Sequence, residues 1–296
     1  MKTPIESTHL GKPTAYPRQY SPGLLVAVPR KENRIQYDIS DTALPFVGWD
    51  VWHAWEAGFL TDSGLPVSGI LKIIYACSSD CLVESKSLKL YLNSLNMEKL
   101  GPTAAEATTT FIEHIRNDLS RLLNTAVHVT FFREPGPGRT EFHDYVVLEE
   151  QSSFTEGEFT DYLENPELLQ TSEPAALPSA ATLRVSTHLL RSNCKITHQP
   201  DWGSAFISMR GRHLPTGGAL LKYLTSFRNE YHFHEEVCEM IYKRLLDRFA
   251  PHSLMVTCIY TRRGGIDICP TRASDVLLLP QQLSSPYMLT PKLPRQ

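Results

Sequence analysis

The stretch Phe111–Phe132, FIEHIRNDLSRLLNTAVHVTFF, reads as a helix, a turn and a strand. Phe111, Ile112, Ile115, Leu119 and Leu122 recur at three- and four-residue spacing, which is one apolar helix face. After Arg121-Leu122-Leu123-Asn124 the pattern changes to the β-branched and aromatic run Ala126–Phe132, which predicts a strand. The same order returns in HEEVCEMIYKRLLDRFAPHSLMVTCIYT, His234–Thr261. There Val237, Met240, Ile241, Leu245 and Phe249 form the face, Arg244-Leu245-Leu246-Asp247 closes it, and Leu254–Thr261 is the strand. The two RLL landmarks lie 123 residues apart, whereas YLNSL (Tyr91–Leu95) and YLTSF (Tyr223–Phe227) lie 132 apart. The first half therefore carries nine more residues, placed within MEKLGPTAAEATTT. Strand patterns also precede the helices, in VSGILKIIYACSS on one side and in TLRVSTHLL and KITHQPDWGSAFISMRG on the other. Each half reads strands, helices, strands, so the fold class is α+β in two similar copies, with a binding cleft expected where they meet.

A polar, Pro- and Ser-containing stretch over residues 151–181 reads as the connector, with one short helix at FTDYLENPELL. It sets the expected domains at 1–150 and 182–296. Composition is that of a soluble globular protein, with 42% hydrophobic residues, 21% charged residues and a net charge of −3. That balance gives no electrostatic reason to expect a nucleic-acid or membrane partner. The polar start lacks the apolar segment of a signal peptide, and no apolar run approaches the ~20 residues that span a bilayer. A cytoplasmic location is expected, with the six cysteines as thiols. Cys77 and Cys81 have the C-x3-C spacing of a zinc half-site, but no matching second pair follows, so no metal is expected. The stretch SPGLLVAVPR predicts a short strand behind an exposed tail.

Four stretches carry candidate chemistry. In LRSNCKITHQPDWG, Cys194 is flanked by Arg191 and Lys195, and nearby cations favour a reactive thiolate over a thiol. Asp201 precedes Trp202, and a carboxyl held against that ring would have a raised pKa suited to proton transfer near neutrality. His198 is a rival base, and spacing alone does not choose between them. RNEYHFHEE crowds Arg228, Glu230, His232, His234, Glu235 and Glu236 at a helix start, more than the helix dipole calls for. In VESKSLKLY, Ser85 is placed to cap a helix while Lys86 and Lys89 add positive charge, which makes an anion site. TRRGG, at a strand end, offers two arginines and two flexible glycines for a phosphate. No G-x-G-x-x-G or G-x-x-x-x-G-K-[ST] occurs, so a nucleotide would be held outside the Rossmann and P-loop schemes.

Taken together these stretches resemble the NADPH-dependent 7-cyano-7-deazaguanine reductases of queuosine biosynthesis, in their long, two-domain form. ESKSLKLY (Glu84–Tyr91) looks like that family's signature E-S-K-[SA]-h-K-[LYF]-[YFW], where h is an apolar residue. HLLRSNCKITHQPDWGS, YLTSFRNEYHFHEE and YTRRGGIDICPTR look like its other blocks, and the likeness runs from Pro45 to the C-terminus. Lys195 is a mild departure, since a less charged residue is expected there. The resemblance implies two tandem tunnelling-fold domains, antiparallel sheets with helices on one face, and a homodimer. It implies reduction of a nitrile to a primary amine with two NADPH per turnover. Cys194 would attack the nitrile carbon to give a covalent thioimide, with Asp201 as proton donor and His234 assisting. Glu84 and Glu235, with His234 and the backbone near Val83 and Ser85, would hold the deazaguanine. Ser85, Lys86, Arg263 and Gly264, with Arg262 nearby, would hold NADPH.

Overall fold

Fourteen residues buried on both faces at their middle, Val47–Leu60, make the first long strand, β2, and a second fourteen-residue strand, Ala181–Cys194, opens the other half as β7. The structure, a computed structural model, describes residues 19–133, 140–169 and 179–293. Ahead of β2 lie a three-residue strand, β1 (Ala27–Pro29), and a short helix, α1 (Lys31–Gln36). The first half continues with β3 (Pro66–Ala76), β4 (Cys81–Val83), α2 (Ser85–Ser94), α3 (Ala104–Leu123), β5 (Val127–Phe132) and β6 (Val146–Val147). After β7 come β8 (Pro200–Gly211), α4 (Gly217–Thr225), β9 (Tyr231–His232), α5 (His234–Phe249), β10 (Ser253–Tyr260), β11 (Ile266–Ala273) and α6 (Gln281–Ser284). The mixed α+β class expected from the periodicity is what forms. The short strand read in SPGLLVAVPR is β1, which pairs with β4.

The halves repeat each other in detail. β2 and β7 each form a hairpin with the next strand, and each slips register near its middle, between Ala54 and Ala57 and between Thr187 and Leu190. A helix pair and a returning strand follow in both. The extra residues of the first half largely lengthen a helix: Ala104–Thr110 are the first two turns of α3. The two meanders share one nine-stranded sheet, ordered β5-β3-β2-β11-β10-β8-β7-β6, because β2 pairs antiparallel with β11 over Val47–Ala54. Short β9 adds to the far side of β7 in parallel.

Helices α2 to α5 cover one face. Phe111, Ile115, Leu119 and Leu123 of α3 pack on Trp52, Leu71 and Tyr75, while Val237, Ile241 and Leu245 of α5 pack on Ile207 and Val256. Leu123, four residues after Leu119, takes the fully buried position, and Leu122 packs half-buried against the same core. The opposite face is apolar too. Val51, Ile74, Met255 and Ile259 are covered by Phe142 and by Leu279 and Leu283 around α6, so a short helix lies on the side expected to be bare. In the connector the helix expected at FTDYLENPELL is a single 3-10 turn, Pro166–Leu168, and residues 170–178 lie outside the described residues. Among the described residues no helix is long and apolar enough to cross a membrane.

Candidate active site

Cys194 is the last residue of β7, and the chain reverses immediately after it. Its N–H donates to the Gln199 carbonyl (2.8 Å), and His198 N–H donates back to the Cys194 carbonyl (2.9 Å). Residues 195–199 are thus a turn rather than the extended run considered from sequence, with His198 at φ +59°. This removes the rival base from the site: His198 is exposed and lies tilted against Tyr231, with ring centres 5.0 Å apart. The turn also aims the Thr197 N–H at the Cys194 sulfur (3.5 Å).

Pairing to β8 and β9 builds the rest of the wall. Asp201 sits opposite Ser192 on β8, and His232 on β9 sits beside Cys194. From β9 the chain enters α5, whose first turn carries His234 and Glu235. Asp201 is nearly buried, 2.9 Å from an Arg263 guanidinium nitrogen and 3.5 Å from His234 Nε2. Burial pushes its carboxyl up, but the hydrogen bond and charge of His234, with Arg263 and Lys89, outweigh that and hold it below the usual carboxylate range. The expectation of a raised pKa beside Trp202 is therefore corrected. Strand alternation turns Trp202 outward, where it lies between Arg191 and Arg228. Lys195 is likewise diverted, 3.4 Å from Glu236. The cations near Cys194 in sequence are spent elsewhere, and those that face the site come from distant segments.

The opposite wall belongs to the first half. Glu84, not Ser85, caps α2: its carboxylate accepts the N–H groups of Lys86 (2.9 Å) and Ser87 (2.7 Å). Val83 and Ser85 then face Cys194, Asp201, His234 and Glu235 across a closed chamber whose remaining walls include Trp52 and Phe233. Its free volume of about 10 Å³ holds about one water molecule, so a heterocycle enters only when these walls part. Buried polar atoms around it without a hydrogen-bond partner among the described residues include the Trp52 indole nitrogen and Glu235 Oε1. Leaving such a group unpaired costs ~1–3 kcal/mol, which a ligand with complementary donors and acceptors recovers. Burial first, and then the charge of Asp50, push the Glu235 carboxyl up to about 8 against Arg30 and Arg272.

Behind Glu235 lies a buried ion cluster absent from the sequence-derived candidates. Arg272 bridges Asp50 (2.8 Å) and Glu239 (2.9 Å), Arg34 forks onto Glu239 (2.9 and 2.8 Å), and Arg30 pairs with Asp50. The available signal was a lone charge inside each apolar pattern, as in GWDVW and CPTRA.

Outside the chamber the TRRGG turn joins β10 to β11, with Gly264 at φ +60° and Gly265 at φ +76°. It borders a cleft of about 490 Å³ lined also by Glu56, Lys89, Asn93 and Asn96. Arg263 points inward to Asp201, whereas Arg262 lies over the Trp55 ring at 5.1 Å. Lys86 is the second residue of α2, its N–H held by the Glu84 carboxylate. Among the described residues the one set of metal-type ligands is His53, Asp267 and Cys269, away from this site. There His53 bonds Asp267 (2.7 Å) and Thr290 (2.9 Å) through its two ring nitrogens.

Comparison with known proteins gives the family. Residues 16–131 match the family model described as nitrile reductase, 7-cyano-7-deazaguanine-reductase N-term, and residues 200–276 match that of QueF-like protein. The NADPH-dependent 7-cyano-7-deazaguanine reductase of Colwellia psychrerythraea is 37% identical over 277 residues, 93% of this chain and 94% of the relative. This chain belongs to that family. The similarly named protein of Coxiella burnetii is 36% identical over 91% of this chain and 92% of its own. That of Acinetobacter baumannii is 37% identical over 94% and 97%. These alignments span both halves, so the chamber walls from each lie within the family's common length. The family is one of oxidoreductases, and its named members depend on NADPH.

Proposed function

We propose that this protein reduces the nitrile of 7-cyano-7-deazaguanine to the primary amine 7-aminomethyl-7-deazaguanine, a step of queuosine biosynthesis in the cytoplasm. One observation carries the residue assignment: Cys194, Asp201, His234 and Glu235 of the second half meet Val83 and Ser85 of the first around one chamber. Asp201, held as a carboxylate, takes the Cys194 proton as sulfur adds to the nitrile carbon. It then delivers that proton to the nitrile nitrogen, which gives a thioimide. Thr197 N–H steadies the sulfur before attack. The Glu235 carboxyl and Glu84, the cap of α2, with His234, hold the N–H and carbonyl edge of the base.

The cleft beside Gly264 fits an elongated anionic cofactor. Gly264 and Gly265 line it, and Ser85, Lys86, Arg262, Arg263 and Gly264 would hold NADPH there. NADPH held there would supply the hydrides, two molecules for each nitrile. Asp201 and His234 provide the matching protons, so nitrile, two NADPH and two protons become amine and two NADP⁺. We read the two halves as tandem tunnelling-fold domains joined through 151–181, working as a homodimer.

Incubation with 7-cyano-7-deazaguanine in the absence of NADPH tests the reading by intact mass. The expected result is a gain equal to the substrate, absent in Cys194→Ala. No adduct, together with no NADPH consumption, would overturn it.

A further inference from the structure

Trp52 stands midway along β2, opposite Ile73 of β3 on one side and Ile268 of β11 on the other. Strand alternation turns its ring to the same side as Asp50 and Ala54, toward the helices. There it is 1% exposed, within the apolar cluster that holds Tyr75, Val83 and Leu88. The indole is also wall of the nucleophile chamber, in company with Val83, Ile268 and Glu235. A buried indole N–H ordinarily has an acceptor. The N–H of Trp55 on the same strand donates to Asp267, whereas that of Trp52 has no hydrogen-bond partner among the described residues. Phenylalanine would fill this part of the core with no donor left over.

Glu235 brings the complementary deficit. It shares the chamber, and its Oε1 is buried and without a hydrogen-bond partner among the described residues as well. The donor and the oxygen do not bond each other, so a ligand that satisfies both must present an acceptor beside an N–H. The pyrimidine edge of 7-cyano-7-deazaguanine has that pairing: its N1–H lies next to the carbonyl, and its 2-amino group next to ring nitrogen N3. We propose that Trp52 is a specificity-determining residue of the chamber, its indole N–H donating to an acceptor of the base while Glu235 takes the neighbouring N–H. β2 is held by hydrogen bonds along both edges, so this donor keeps its place when the walls part. A base with C–H in place of the acceptor leaves the indole unpaired in a closed site, which is how a buried donor rejects an isostere.

This role rests on the chamber being the site of 7-cyano-7-deazaguanine, and the test separates the two. Binding is measured by calorimetry on Cys194→Ala protein, which cannot form the adduct, with Trp52 intact, with Trp52→Phe, and with 3-benzothienylalanine in place of Trp52. The last keeps the shape of the indole and puts sulfur where the N–H was, so it serves where phenylalanine unsettles the core. The ligands are 7-cyano-7-deazaguanine, its analogue without the carbonyl oxygen, and its analogue with C–H at N3. Both replacements of Trp52 are expected to weaken the parent base about tenfold, the worth of one neutral hydrogen bond. One of the two analogues is expected to bind the Trp52 protein at least about tenfold more weakly than the parent base and to be indifferent to the replacements. That analogue names the acceptor. Replacements that weaken all three ligands alike would make Trp52 a matter of shape and overturn the proposal. A benzothienyl protein that binds the parent base as tightly as the Trp52 protein would overturn it as well. Parent base that does not bind the Trp52 protein, with no adduct where Cys194 is intact, would remove the reading beneath and the proposal with it.

Discussion

Glu235 shows how a single buried group couples the site to stability. It is 1% exposed, and burial with the Asp50 charge raises its carboxyl from 4.5 to about 8. A carboxyl raised in this way keeps its proton in the folded protein over a range where the unfolded chain releases it. Its stabilising contribution is therefore full below the unfolded value and is lost as pH rises through about 8. Glu235→Gln keeps the shape and removes the titration. Thermal melts of the two proteins from about pH 5 to about pH 9 are expected to diverge, the variant gaining on wild type as pH rises. Parallel curves would show that Glu235 is already ionised at neutral pH. At this scale the sequence named several residues that line one chamber but missed their surroundings. Asp201 was expected to be raised by Trp202 and is lowered instead by His234, Arg263 and Lys89, because a strand sends neighbouring side chains to opposite faces.

At the scale of elements, turns and caps place the chemistry, and they were legible to different degrees. Apolar spacing disclosed α3 and α5, since each must bury one stripe, and β10 followed from its β-branched run. The cap of α2 was misassigned to Ser85 because both Ser and Glu can accept backbone N–H groups, and only geometry shows that Glu84 does. The TRRGG turn was found from its composition, but its two left-handed residues follow from the tight return of β10 into β11. Gly264 at φ +60° makes that turn testable. Gly264→Ala forces an L side chain into the left-handed region at a cost of about 1 kcal/mol, and its Cβ presses on the Lys89 stem. A loss of ~2–4 °C in Tm is expected, with kcat/KM for NADPH down roughly tenfold as Arg263 and the cleft edge shift. Melting and steady-state kinetics check both parts. Unchanged NADPH kinetics with the Tm loss present would place the cofactor away from this turn.

Across the whole molecule, the repeat was readable while the contacts that join its ends were not. The Arg34–Glu239 pair links positions 205 apart, and no local pattern announces a partner at that distance. The same holds for the C-terminal segment, which crosses the face opposite the helices. Lys72, buried on β3, gives its ammonium hydrogens to the carbonyls of Gln282 (2.8 Å), Ser285 (2.9 Å) and Met288 (2.6 Å). Burial pushes Lys72 down to about 7, with Cys269, Asp267 and Glu141 pulling back. Three accepting carbonyls oppose that fall further, since only the charged amine has three hydrogens to give. The charged form is therefore the one that ties down the segment. Thr290 adds a second tie, donating to the Gln282 carbonyl at 2.8 Å and bonded to His53. Lys72→Met removes charge-assisted hydrogen bonds worth ~1.5–3 kcal/mol each, partly offset because a buried charge no longer needs desolvating. A net loss of about 2–3 kcal/mol is expected, concentrated in the segment because its carbonyls can turn to water. Hydrogen exchange over residues 281–290 should then accelerate by ~10-fold or more, while the amides of β10 and α5 keep their protection. Equal acceleration across the whole sheet would instead make Lys72 part of the global core, and the segment more than a local strap.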